Sequence, residues 1–77
     1  MFEQQLMTAI LAWCSANDAQ SVRCMDYHRQ LFRSKVVVLW LIIGGVNPPE
    51  ALASLRAYLQ PIFGVITDLE VFGPTDL

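Results

Sequence analysis

The chain has 77 residues, of which 55% are hydrophobic and 16% are charged, and its formal net charge is -2. This length fits one small domain, and the negative charge disfavours nucleic-acid binding, which usually needs a clear basic patch. The hydrophobic share lies above the average for soluble domains and the charged share below it. A fold of this size buries only about 60% of its unfolded surface, so this composition indicates an apolar surface that another chain covers.

Two helices are expected in the first 32 residues. Phe2, Leu6, Ile10 and Trp13 recur at helical spacing and predict a first helix over residues 2–16. The next two polar residues, 17 and 18, can cap a second helix over residues 19–32. That segment has a less regular apolar stripe and carries most of the basic residues.

The block over residues 36–46 is wholly apolar, and its structure is harder to predict. Three consecutive β-branched residues, Val36, Val37 and Val38, are compatible with a strand, and periodicity alone cannot assign a short apolar run. We favour a helix over residues 35–44, after a break at 33–34, because a lone strand would have no hydrogen-bonding partner. Eleven helical residues would span about 16 Å, roughly half of a membrane's hydrocarbon core, so a membrane span is not expected.

The clearest local signal is a helix start at Asn47-Pro48-Pro49-Glu50. Asn47 suits the N-cap, Pro48 the first helical position, and Glu50 the third position of a capping box. A fourth helix is expected over residues 48–59, stopped by Pro61. A short fifth helix over about 62–69 and a mobile tail over 70–77 complete the prediction.

The sequence offers few residues that could act in catalysis or bind a metal. Cys14 and Cys24 lack a C-x-x-C spacing and are expected to be reduced thiols. Cys24 and His28 could share a helix face, but a structural zinc site usually needs four ligands, and no oxyanion hole accompanies the pair. We therefore predict no enzyme activity, metal or cofactor, and keep a minor enzyme or metal protein as a third hypothesis. The start lacks the positive region of a secretory signal, so a cytoplasmic location is expected.

These elements predict a single all-α domain over residues 1–77, with four to five short helices in antiparallel hairpins. The layout resembles a degenerate tetratricopeptide repeat, with comparable places occupied by Trp40, Gly44, Gly45, Ala51, Leu55 and Pro61. Residues 37–53 and 71–76 resemble the tetratricopeptide-like needle-subunit co-chaperones of bacterial type III secretion systems. The resemblance covers about residues 35–77.

The resemblance implies a cytoplasmic chaperone subunit that acts with a second small helical chaperone. Together they would bind the amphipathic helix of the needle subunit and prevent its premature polymerisation. Trp40, Ile43, Leu52 and Leu55 are the candidate partner-binding residues, with core packing left open for each. The alternative is a small homo-oligomeric structural or regulatory protein, such as a phage-encoded inhibitor, that buries the same surface against itself.

Overall fold

The computed structural model describes residues 2–30 and 35–75, which form two helices and three strands. In chain order these are α1 (Phe2–Ala16), β1 (Ser21–Gln30), β2 (Lys35–Gly44), α2 (Pro48–Phe63) and β3 (Asp68–Phe72). The strands form one sheet with β2 in the centre, antiparallel to β1 and parallel to β3. A parallel pair needs a crossover connection, and α2 supplies it. The fold is therefore α/β, and the predicted all-α fold is wrong.

Two helix predictions are confirmed. Helix α1 has the predicted bounds, and its buried residues, Leu6, Ile10, Trp13 and Cys14, follow the helical spacing seen in the sequence. Helix α2 begins where expected, since the Asn47 side chain accepts a hydrogen bond from the Glu50 backbone N–H at 3.2 Å. The cap satisfies one of the N–H groups that a helix start leaves unpaired.

The second and third predicted helices, over 19–32 and 35–44, are wrong. These segments form β1 and β2, which pair from Ser21 with Gly44 to Gln30 with Lys35. Each strand thus supplies the hydrogen-bonding partner that the other needs. Residues 31–34, with the predicted break and the end of the second predicted helix, lie outside the described residues.

The end of the chain also differs from the prediction. Helix α2 continues through Pro61 to Phe63 and ends at Gly64, whose N–H donates to the Gln60 carbonyl oxygen at 2.9 Å. Gly64 has a φ of 79°, which glycine adopts without the strain that a side chain would cause. The predicted fifth helix over 62–69 and the mobile tail over 70–77 are wrong where described, because residues 68–72 form β3 beside β2.

Both helices pack on one face of the sheet, where the core lies. Apolar side chains of α1 and α2 form one cluster with residues of β2 and β3. The buried residues of β2 alternate from Leu39 to Ile43, and Val36 joins them after a register shift next to Val38. The two helices are also joined by a hydrogen bond of 3.1 Å from the Trp13 indole N–H to the Ser54 hydroxyl. The sheet residues buried under the helices are Val36, Leu39, Leu41, Ile43, Leu69 and Val71.

Candidate binding site: the open face of the sheet

The opposite face of the sheet carries no described helix. Strand residues that stand directly beside one another point to the same side of the sheet, so the pairing register identifies the members of this face. We call it the open face. It consists of Arg23, Asp26 and His28 on β1, Val38, Trp40 and Ile42 on β2, and Asp68, Glu70 and Phe72 on β3.

The centre of the open face is apolar. Val38, Trp40 and Ile42 are each half-buried, and none of them belongs to the core cluster or packs against it. The Trp40 and Phe72 rings meet edge to face, with centroids 6.2 Å apart and an interplanar angle of 70°. This geometry is favoured between aromatic rings, so Phe72 supports the position of the indole on the sheet.

A β-bulge in β1 determines which of its side chains reach this face. Cys24 pairs with Leu41 and Asp26 pairs with Trp40, so Met25 is an extra residue without a partner of its own in β2. The extra residue shifts the alternation by one position. Asp26 and His28 consequently stand on the open face, while Tyr27 points towards the core and packs against it.

The rim of the open face is mainly acidic. Asp26 and Glu70 stand on opposite sides of Trp40, and Asp68 stands beside Val38. The Asp26 carboxylate accepts a hydrogen bond from the Tyr27 backbone N–H at 2.9 Å. Within residues 2–30 and 35–75, no ion pair involves these three carboxylates.

The indole N–H of Trp40 is buried and has no acceptor among the described residues. An unpaired buried donor destabilises a fold by about 1–3 kcal/mol. Tryptophan therefore has a disadvantage at this position that phenylalanine would not have. The large indole ring at this position is therefore a candidate contact for a binding partner.

Of the four predicted partner-binding residues, only Trp40 lies on the open face. Ile43 and Leu55 have 0% exposure and lie in the core, and Leu52 packs against that core from α2. The structure thus does not bring the four together on one surface. The other apolar residues of the site, Val38, Ile42 and Phe72, were missed, and a period-2 analysis of β2 would have found two of them.

Cys24 and His28, which the sequence analysis considered as a possible pair on one helix face without predicting a site, both lie on strand β1. Cys24 stands beside Leu41 on the core side, and His28 stands beside Val38 on the open face. Burial raises the pKa of the Cys24 thiol above its ordinary value, which lowers the thiolate fraction that nucleophilic chemistry needs. No group of three or more potential metal ligands occurs within residues 2–30 and 35–75.

Searches of protein-family models, of curated protein sequences and of solved structures found no match to this chain. No helix in the described part of the chain is long and apolar enough to cross a membrane. The chain is therefore defined by its fold and its site, as a small α/β domain with a three-stranded mixed sheet that has one covered and one open face.

Proposed function

We propose that this chain is a polypeptide-binding module that holds an amphipathic helix of another protein against the open face of its sheet. The observation that carries the proposal is the half-buried apolar centre formed by Val38, Trp40 and Ile42, which no described element covers. A helix packed on this sheet face would remove that apolar surface from water, which is the main driving force of protein association.

The size of the face favours a single helix over a second sheet. Three strands that are about 4.8 Å apart and five residues long present a surface of roughly 14 Å by 17 Å. A helix is about 10–12 Å wide, and about eleven of its residues span 17 Å. The face has an area of only about 240 Å², whereas stable dimers bury about 800 Å² on each partner. Any partner bound through this face alone, a helix or a second copy of this chain, would therefore have a small interface.

The predicted role as a type III secretion co-chaperone is one form of this function, and it stays a prediction. It named an amphipathic helix as the bound segment, which agrees with the proposed occupant. It depended on helices predicted over residues 35–44 and 48–59, however, and residues 35–44 are strand. The proposal therefore rests on the sheet face and not on the resemblance.

The test uses a synthetic amphipathic peptide of about 14 residues, with leucine and isoleucine at helical spacing and no tryptophan. Titration into the labelled chain should shift amide resonances of β2 and β3 in a two-dimensional NMR spectrum, with micromolar affinity. Ile42→Ser should weaken binding at least tenfold. The matched control is Leu11→Ser, which changes an apolar side chain that is 52% exposed on α1 and should leave binding unchanged.

Three results would contradict the proposal. The first is no resonance shift with a folded chain, and the second is a set of shifts confined to α1 and α2. The third is self-association, measured by sedimentation, that Ile42→Ser abolishes, because the face would then bind a second copy of this chain, as in the homo-oligomer alternative.

A further inference from the structure

The charges around the open face specify the chemistry of the helix that binds there. This inference rests on the proposed function. The face carries three carboxylates, one guanidinium and the imidazole of His28, and its net charge is -2 when the imidazole is neutral. Such a rim repels anionic lipid headgroups and nucleic-acid phosphates, which attract basic surfaces. It attracts a partner that carries lysine or arginine.

The position of the carboxylates sets the position of the partner's charges. Asp26 and Glu70 stand on either side of Trp40 in one row of the sheet, two strand spacings or about 10 Å apart. A helix that lies over Trp40 has a similar width. Residues on both flanks of its apolar stripe would therefore each have a carboxylate within reach.

We propose that the bound helix is basic and amphipathic, with lysine or arginine on both flanks of the apolar stripe. The long aliphatic stems of these residues can lie along the apolar centre while their charged ends meet Asp26 and Glu70. A guanidinium at this position also reaches the exposed part of the Trp40 ring, which is the best aromatic partner for a cation. Charge complementarity of this kind contributes chiefly to association rate and specificity.

The test compares two peptides that share one apolar stripe and differ only in lysine or glutamate at the flanking positions. In 50 mM salt, the lysine peptide should bind about tenfold more tightly than the glutamate peptide. This difference in affinity is what two or three exposed charge pairs would contribute. The difference should shrink in 0.5 M salt because screening weakens exposed pairs. Calorimetric or NMR titration measures both affinities.

The variant Asp26→Asn with Glu70→Gln should remove most of the discrimination between the peptides. Asparagine keeps the oxygen that accepts the hydrogen bond from the Tyr27 N–H, so the bulge should persist. The matched control is Asp18→Asn with Glu50→Gln, which changes two carboxylates outside the open face and should leave the discrimination intact. Equal affinity for both peptides would overturn the basic-helix inference and leave the proposed function standing. Failure of both peptides to bind would overturn the proposed function itself.

Discussion

Truncation of neighbouring residues on β2 gives a direct test of the two-faced sheet. Leu41 has 0% exposure and lies in the core, so Leu41→Ala should lower the free energy of unfolding by about 3 kcal/mol. Ile42, the next residue, is half-buried on the open face. Ile42→Ala should lower the free energy of unfolding by only about 1 kcal/mol, because no enclosed cavity forms and part of the side chain already contacts water.

Urea unfolding, followed by far-ultraviolet circular dichroism, measures both changes. A chain of this length is expected to have about 4–12 kcal/mol of stability, and a urea slope near 1 kcal/mol per molar is typical of small domains. The midpoint should therefore fall by about 3 M for Leu41→Ala and by about 1 M for Ile42→Ala. Leu11→Ala, at an exposed position of α1, should change it little. Equal losses at residues 41 and 42 would refute the assignment of one residue to the core and the other to the open face.

Two further predictions concern the core. Ser54→Ala removes the acceptor of the Trp13 indole N–H, in a hydrogen bond that is part-buried, and should destabilise the fold by about 0.5–1.5 kcal/mol. An effect no larger than that of Ser15→Ala, at an exposed site of α1, would contradict the role of this bond. Burial raises the pKa of the Cys14 thiol, so the folded state favours the protonated thiol. The stability gained in this way is complete below the unfolded pKa, near 9.0, and is lost as pH rises through the folded pKa. The urea midpoint should therefore fall more steeply between pH 8 and 10 than in Cys14→Val, and equal slopes would exclude this contribution.

The helices could be predicted because their signals are local. The apolar residues of α1 repeat at helical spacing, and Asn47 and Pro48 specify the start of α2 by geometry that the chain carries within a few residues. The position where α2 ends was not predictable in this way. Pro61 lies in the last turn, where α2 continues to Phe63, and the sequence alone did not indicate this.

Strand β1 was missed because its bulge hides the alternation. A strand with one face towards a core normally repeats every two residues, but Met25 interrupts this repeat between Cys24 and Tyr27. The segment then contains polar and apolar residues at irregular spacing, and no residue in it is fully buried. With neither β1 nor β3 recognised as a strand, β2 had no evident partner. The helix prediction for residues 35–44 followed from these two omissions.

Strand β3 carried a readable signal that was overlooked. Leu69 and Val71 alternate with Asp68 and Glu70, which is the pattern of a strand with one buried and one solvated face. The segment is only five residues long, and it was divided between a predicted helix and a predicted tail. Its pairing with β2 also joins residues about thirty positions apart, which local patterns do not encode.

The contrast between β2 and β3 is the strongest argument that something covers the open face. A strand buried on both sides has a near-continuous apolar sequence, whereas a strand with one solvated side alternates. Strand β3 alternates, but β2 is apolar at every position from Val36 to Ile43. The described helices cover only one side of β2, so the sequence of this strand fits a cover on its second side. On that side, the residues of β1 and β3 that stand beside β2 are polar, with Phe72 as the exception. A single helix would therefore be wide enough to cover the apolar residues of β2.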